Sequence, residues 1–256
     1  RFLFTLIIII SFLVIISLLS LAKGSVYISN KDIWLAIFQQ GEEINQTIIR
    51  DLRLPRLMAS LLVGSSLGMS GALLQGMLKN GLASPYLLGI SAGSGLVIVF
   101  FISFGLAQSF IPFAAWLGAV LTTLIVFILS RDGNKIIVER LVLGGVAVSS
   151  LFGAIQATLL LQVEDGRIQA ALNWLIGSLN ARGWQDIKFV ALPILIALFI
   201  GLFLSRQLNL LSLGDELSIS LGNSLFRSRC LIGAVATLLT ACAVSIGGLI
   251  GFIGLV

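Results

Sequence analysis

The sequence predicts an all-α protein, a polytopic bundle of transmembrane helices. Three observations predict this class: 58% of the residues are hydrophobic, only 11% are charged, and several uninterrupted apolar runs have the length of a membrane span. About 20 apolar residues in a helix cross a bilayer, and a helix satisfies its own backbone hydrogen bonds there. The connections between the runs are too short to fold separately, so residues 1-256 are predicted to form a single transmembrane domain.

The apolar runs give seven predicted spans. In the first run, Phe2 to Leu21, sixteen of the twenty residues are Leu, Ile, Phe or Val. A signal peptide is the alternative for this run, but the apolar part of a signal peptide is normally about 7–15 residues long. The predicted spans are Phe2–Leu21, Leu57–Leu78, Ala83–Gly105, Phe110–Ser130, Leu141–Val163, Phe189–Ser205 and Leu231–Val256.

Both ends of the sequence lack the features that usually flank a set of spans. The chain begins on Arg1 rather than on an initiator Met, and it stops at Val256 inside a Gly-rich apolar segment. We therefore expect the domain to be truncated at both ends, which makes seven a minimum number of spans.

The composition also restricts the chemistry of the chain. It has no His, the commonest metal ligand, and Cys230 and Cys242 lack the C-x-x-C spacing of metal or redox sites. We therefore predict no metal site and no cofactor. The sixteen Lys and Arg residues are scattered, so the basic net charge does not indicate nucleic-acid binding. The same cations, Arg1 included, divide equally between alternate loops, so the positive-inside rule leaves the orientation open.

The spans lack acidic residues in their interiors, which bears on how a transporter of this kind would be driven. No Asp or Glu lies in the interior of a predicted span, whereas proton relays and ion sites usually need one. An ion-coupled secondary transporter of a small solute stays the alternative, because the carbonyls of broken helices also hold sodium. A membrane scaffold or receptor without transport activity is a second alternative. Catalysis is not predicted, and no G-x-x-x-x-G-K-[ST] loop is present, so an active transporter would need a separate ATPase.

The stretch from Arg50 to Gly95 carries the most distinctive pattern. Pro55 predicts the start of a helix, and Arg50, Arg53 and Arg56 at spacing three predict a basic rim beside it. Arginines at span ends also reach toward lipid headgroups, and this alternative stays open.

Small residues follow in the second span. Ser60, Gly64, Gly68 and Ala72 repeat every four residues, so they share one face of the helix. Small side chains let a neighbouring backbone approach closely. The repeat therefore predicts a helix-packing face, with contact to a transport pathway as the alternative.

Two breaks interrupt the apolar pattern between the second and third spans. Asn80-Gly81 and Ser84-Pro85, followed by Gly89, predict a tight re-entry with a loosened helix. Polar side chains in or beside the spans either line a pathway or form interhelical hydrogen bonds, and the sequence does not decide between these roles. These polar residues are Gln75, Asn80, Ser91, Gln156 and Asn173.

The segment from Leu211 to Arg229 is polar enough to leave the membrane. Ser212, three residues before Asp215, predicts a capping-box-like start for a short helix that Gly214 and Gly222 bound. Its composition alone is compatible with an ordinary loop.

Several of these motifs together resemble one known family. The chain contains RLPR, then G-x-x-L-x-x-S-G-x-x-x-Q, then N-x-L-A-x-P-x-L-L-G-I-S. Further matches are LVLGGVAVSSLFGA from Leu141, WLIGSLNARGW from Trp174, LNLLSLGDELSISLG from Leu208 and GGLIGFIGLV from Gly247. They resemble the FecCD/BtuC-type permease subunits of ABC importers for iron-siderophore, haem and vitamin B12. One departure is Asn80-Gly81, where the family usually has Asn-Pro, which leaves the geometry of that turn open.

The resemblance implies an assembly and a location. The family has about ten spans in the bacterial cytoplasmic (inner) membrane, with a cytoplasmic N-terminus. Two permease copies, identical or close paralogues, assemble with two ATP-binding cassette ATPase subunits. A periplasmic or lipid-anchored substrate-binding protein delivers the ligand. The expected function is translocation of an iron-siderophore, or of a haem or vitamin B12-like chelate, by ATP-driven alternating access.

The resemblance also implies roles for particular residues. Arg53 and Arg56 match arginines that, in the relatives, pair with carboxylates of the binding protein, and Arg50 is a further docking candidate by its helical spacing. The polar segment resembles the coupling helices that seat in a groove of the ATPase. The predicted coupling residues are Leu213, Gly214, Asp215, Glu216, Leu221 and Gly222, and the predicted packing or pathway residues are Gly64, Gly68, Gln75, Asn80, Pro85, Gly89 and Ser91.

Overall fold

The computed structural model describes residues 2–133, 135–163, 165–180 and 182–255, and those residues are mostly helical. Arg1 and Val256, which the cation count and the last predicted span include, lie outside the described residues. The helices are α1 (Phe2–Ala22), α2 (Asn30–Ile37), α3 (Glu43–Thr47), α4 (Leu54–Leu78), α5 (Ile90–Ser103), α6 (Ile111–Ser130), α7 (Val138–Leu160), α8 (Asp165–Ile176), α9 (Trp184–Phe203), α10 (Ser205–Ser212), α11 (Asp215–Ser220) and α12 (Leu225–Gly247). A small antiparallel hairpin, β1 (Arg131–Asp132) and β2 (Lys135–Ile136), connects α6 to α7.

Six of the described helices are long and apolar enough to cross a membrane, and they correspond to six of the seven predicted spans. The other predicted span, Ala83–Gly105, is divided. A 3₁₀ turn over Pro85–Leu88 ends at Gly89, whose φ of 74° is left-handed, and the 14-residue helix α5 follows. The predicted interruption is therefore present. At about 1.5 Å per α-helical and 2.0 Å per 3₁₀ residue, the two pieces together extend about 29 Å.

Pro55 lies in the first turn of α4, as predicted, but no loop precedes that turn. Helix α3 continues through a π-helical turn, Ile48–Arg53, directly into α4. The Leu54 amide donates to the carbonyl of Ile49, five residues back. A proline lacks an amide hydrogen and its ring crowds the carbonyl four residues earlier, so the wider turn accommodates Pro55 without ending the helix.

The chain divides into two compact units, and the first comprises residues 1–61 and 179–189. Its hydrophobic cluster joins the end of α1 (Leu21, Ala22) to α2 and to Ile49. Residues 3–20 of α1 are largely apolar, and all of them except Ser17 are exposed. A continuous apolar surface of this size fits contact with lipid.

The second unit comprises residues 62–178 and 190–256, with α12 as its most buried long helix. Small residues allow close contacts: a methyl group added at Gly93 of α5 would overlap Thr122 and the Gly118 carbonyl of α6. Ser70 of α4 donates to the Ala236 carbonyl of α12 at 2.9 Å. The helices thus pack through small and weakly polar groups, as is usual in membrane bundles.

Within the described residues of this chain, the close contacts of α4 lie on a different face from the predicted packing face. Among the described residues outside the adjacent turns of α4, none comes within 4 Å of a methyl group built at Gly64 or Gly68, and Gly68 is exposed. Close packing occurs instead at Gly71, where a methyl group would overlap the Gly254 carbonyl, and at Ser70. Both faces of α4 carry small residues, so their spacing alone could not select the buried one. The pathway alternative for Gly64 and Gly68 stays a prediction.

Candidate functional site

A basic cavity lies in the first unit, between the loop after α1, the π-helical turn and the residues Leu179, Arg182 and Gly183. Its volume is about 730 Å³. Four cations and one carboxylate line it, so its field favours anionic groups such as carboxylates. These charged residues, which define the basic cavity, are Lys23, Asp51, Arg53, Arg56 and Arg182.

Arg53 is engaged within the chain. Its guanidinium donates to the carbonyl of Leu21 at 2.5 Å and to that of Val26. A side chain at Gly24 would collide with it, because a Cβ there would lie 2.7 Å from Nη2. Arg53 therefore holds the loop after α1 in place, while Arg56 on the same cavity is exposed.

Arg50 has a different environment from the other two predicted docking arginines. It lines a separate shallow pocket with Glu43 and Asp51. Its backbone carbonyl accepts a hydrogen bond at 2.8 Å from the indole of Trp184, at the start of α9. The structure therefore brings Arg53 and Arg56 together and leaves Arg50 beside them.

The sequence reasoning missed Lys23 and Arg182 of the basic cavity. Arg182 lies more than 120 positions after Arg56 in the chain, so no local spacing connects them. The only signal was the position of Arg182 inside the WLIGSLNARGW match. Burial lowers the pKa of the Arg182 guanidinium, and the charge of Asp186 opposes that shift.

The predicted coupling segment is an exposed short helix. Helix α11 is bounded by Gly214 and Gly222, with φ angles of 108° and 80°, as predicted. Four large apolar side chains on and beside it are 54–60% exposed, although the segment lies outside the long apolar helices. Such a patch indicates a protein contact surface. The four residues are Leu213, Leu217, Ile219 and Leu221, of which Leu217 and Ile219 were missed.

The predicted capping box of α11 is wrong. Gly214 is the N-cap residue and makes no side-chain cap. The hydroxyl of Ser212 donates instead to the Asn209 carbonyl at 2.7 Å. The carboxylate of Asp215 binds two cations, Lys79 and Arg229.

The carboxylate of Asp215 is at the centre of a charged group that we term the Arg229 cluster. Arg229 Nη2 lies 2.9 Å from both carboxylate oxygens, and Lys79 Nζ lies 3.2 Å from one of them. Arg229 Nη1 donates to the Ile136 carbonyl of β2 at 2.8 Å. Partial burial acts to raise the pKa of Asp215, but its bonds and attraction to Arg229 and Lys79 outweigh this and lower it.

The Arg229 cluster also fixes which loops share a side of the membrane. The long helix α6 and the shorter α5 lie between Lys79 and Ile136. The long helices α7 and α9, with the shorter α8 and α10, lie between Ile136 and Asp215. Asp215 binds both Lys79 and Arg229, and Arg229 binds Ile136, so an even number of crossings must separate these residues along the chain. Helix α5 with its preceding turn must therefore count as one crossing, which restores the seventh predicted span.

Several of the predicted packing or pathway residues form hydrogen bonds within the chain. Gln75 donates to the Gly254 carbonyl at 3.2 Å, and the Asn80 side chain accepts from the Leu82 amide at 2.9 Å within its turn. Gln156 donates to the Ala92 carbonyl at 2.8 Å, which links α7 to α5. These bonds are of the interhelical or turn type. Among the rest, Pro85 begins the 3₁₀ turn, Gly89 caps α5, Ser91 is buried, and Asn173 accepts from Gln169.

Known proteins resemble this chain over nearly its whole length. The model of the FecCD transport family matches residues 12–256. The Fe(3+)-citrate import system permease protein YfmE of Bacillus subtilis (strain 168) is 35% identical, over 95% of this chain and 73% of that protein. The ferric enterobactin transport system permease protein FepG of Escherichia coli (strain K12) is 34% identical, over 100% and 78%. A solved structure, described as an inward-facing conformation of a metal-chelate type ABC transporter, matches with a TM-score of 0.85 at 31% identity, over 95% and 76%.

Proposed function

The chain belongs to the FecCD transport family and is a permease subunit of an ABC importer in the inner membrane; from this premise we propose that it translocates an iron chelate by ATP-driven alternating access. The relatives named for Fe(3+)-citrate and ferric enterobactin support the choice of an iron chelate. The observation that carries the ATP-driven mechanism is the exposed apolar surface of α11, which offers a separate ATPase a place to bind.

The proposed assembly contains two permease copies, two ATPase subunits and a substrate-binding protein, with the N-terminus of this chain in the cytoplasm. In that orientation Lys79, β1–β2 and α11 lie on the cytoplasmic side, where ATP is available. The basic cavity lies at the end of α1 and the start of α4, so in that orientation it lies on the outer side. That location suits a binding protein that approaches from outside.

Docking at the basic cavity is proposed to be electrostatic. Exposed Arg56 contributes a charge that a carboxylate of the partner can reach, whereas Arg53 shapes the cavity through its bonds to the loop after α1. Complementary charges of this kind mainly increase the association rate.

Transport in vesicles tests the proposed function. The permease is reconstituted with its ATPase and its binding protein, and uptake of a radioactive ferric chelate is measured with ATP trapped inside. We expect uptake to require ATP and to survive collapse of the proton and sodium gradients. An ATPase variant without its phosphate-loop lysine is the control. Uptake that follows an ion gradient without ATP would identify a secondary transporter, and no uptake at all would identify a scaffold or receptor.

A further inference from the structure

We propose that Arg229 is the positioning residue that attaches the coupling helix α11 to the span α12, and that α12 carries the displacement of α11 to α8. This inference rests on the proposed function, because it concerns how movement imposed by an ATPase reaches the spans. It also assigns Asp215 an internal role, since its carboxylate is held within the chain.

The attachment of α11 to α12 follows from the geometry of Arg229. Only 5% of this residue is exposed, and its guanidinium contacts three elements at once. It belongs to the second turn of α12, it binds both carboxylate oxygens of Asp215 at 2.9 Å, and it donates to the Ile136 carbonyl at 2.8 Å. A planar fork with several fixed donors can make these bonds together, whereas a lysine ammonium cannot match the same geometry.

A second contact attaches the hairpin to the same end of α12. The guanidinium of Arg131 in β1 lies 5.5 Å from the ring centre of Phe226, in the first turn of α12. The hairpin and α11 therefore both hold the N-terminal end of α12. By contrast, Lys79 joins Asp215 through an exposed ion pair, which contributes little holding strength.

The other end of α12 is attached to α8 through the backbone. The Gly247 carbonyl accepts from the Ser178 amide at 2.7 Å, and the Leu249 amide donates to the Trp174 carbonyl at 3.3 Å. Gly177 and Gly248, both with left-handed φ, allow this approach. A methyl group at Gly248 would lie 2.5 Å from the Trp174 carbonyl oxygen. The ends of α8 and α12 therefore cannot move apart without breaking backbone hydrogen bonds.

Helix α12 is suited to carry movement between these two attachments. It has 23 residues, which corresponds to about 35 Å of helix, and 17 of them are buried. Closely packed interiors transmit displacement because they compress little. A shift of α11 must therefore move α12 and α8 with it, or break the Arg229–Asp215 bonds.

The conservative variant Arg229→Lys tests the attachment in the complete reconstituted importer. ATPase binding and ATP hydrolysis are measured alongside chelate uptake, so that transport per ATP is obtained. We expect ATPase binding within about twofold of wild type and at least a fivefold loss of transport per ATP. Lys79→Gln is the matched control, because it removes the other cation on the same carboxylate, and its coupling should stay within about twofold. If Arg229→Lys does not assemble, Asp215→Asn replaces it.

A spectroscopic distance tests the second attachment. Spin labels are placed on exposed Leu172 of α8 and Leu121 of α6, after Cys230 and Cys242 are replaced by Ser. We expect ATP to change their separation in the otherwise native protein and in Lys79→Gln, but not in Arg229→Lys or Asp215→Asn.

The outcomes separate this inference from the proposed function. If the wild-type protein shows no ATP-dependent uptake, the proposed function fails. If it transports normally and Arg229→Lys and Asp215→Asn stay fully coupled, only the role of Arg229 is overturned. If transport is normal but ATP leaves the α6–α8 distance unchanged, the link from α12 to α8 is overturned.

Discussion

The basic cavity and the Arg229 cluster are both built on arginines, but their charge balance and exposure differ. The basic cavity has four cations for one carboxylate, and Arg56 there is exposed. In the Arg229 cluster, the single carboxylate of Asp215 lies within 3.2 Å of two cations, and Arg229 is buried. An uncompensated exposed charge attracts a partner, whereas a buried and matched charge holds elements of the same chain together.

The largest effect is expected from removing the buried arginine. Arg229→Ala leaves the Ile136 carbonyl and the Asp215 carboxylate without their main donor, and a hydrogen bond to a charged group contributes a net of about 1.5–3 kcal/mol. Because Asp215 is partly exposed, we expect a total loss of about 2–3 kcal/mol in the free energy of unfolding. Thermal unfolding of the purified protein measures it. Arg227→Ala, at an exposed site on the same helix, should lower Tm far less; equal shifts would contradict the buried attachment.

The apolar surface of α11 should give the next largest effect. Burying a leucine side chain contributes about 1.5–3 kcal/mol, so Leu217→Ala should weaken binding of the ATPase by about tenfold. Binding is measured by titrating the purified ATPase against permease in detergent. Leu217→Met conserves volume and should bind normally. An unchanged affinity for Leu217→Ala would show that α11 does not make the contact.

Within the basic cavity, substitution of Arg53 is expected to destabilise the loop after α1, whereas substitution of Arg56 is not. Arg53→Ala removes the donors to Leu21 and Val26, so the amide of Ile28, which bonds the Ala22 carbonyl, should exchange its hydrogen about tenfold faster. Gly24→Ala should act in the same direction by displacing the guanidinium. Hydrogen exchange measures both effects. Arg56→Ala should leave the exchange rate of the Ile28 amide unchanged. If Arg56→Ala accelerated this exchange as much as Arg53→Ala does, the two arginines would not have different roles.

The smallest effect is expected at exposed Arg56. Exposed ion pairs contribute about 0.2–1 kcal/mol, so Arg56→Glu should slow association of the binding protein by about two- to fivefold and flatten its salt dependence. Stopped-flow association at several salt concentrations measures this. Lys31→Glu changes the charge equally at an exposed position outside the cavity and should slow association less. Equal slowing would mean that net charge, rather than the cavity, steers docking.

Much of the fold could be predicted because its signals are local. The apolar runs gave the spans, Ser84-Pro85 gave the interruption before α5, and Gly214 and Gly222 gave the ends of α11. The packing face of α4 could not be predicted. Gly64 and Gly71 are equally small, and among the described residues the approach of Gly254 to Gly71 distinguishes them.

The candidate site, like the fold, could be predicted from the sequence only in part. The sequence predicted roles for Asp215 and Arg53, but it did not predict the bond of Asp215 to Arg229 or those of Arg53 to the carbonyls of Leu21 and Val26. Lys23 and Arg182 were missed because the cavity gathers them from separate parts of the chain.

The sequence by itself determined that this protein is a helical membrane bundle with a polar connecting segment, because partition into a bilayer depends on the apolar content of consecutive residues. Its motifs identified the family. Only the tertiary structure decided which charges are available to partners. Whether the Asp215 carboxylate is available to a partner depends on Lys79 and Arg229, which bind it, and on Ile136, which holds Arg229. Folding brings these residues together although long helices separate Lys79, Ile136 and Asp215 along the chain. A charge that is paired with an opposite charge produces a much weaker electrostatic field in the solvent. The spacing of residues in the sequence does not show which distant charges will form such a pair.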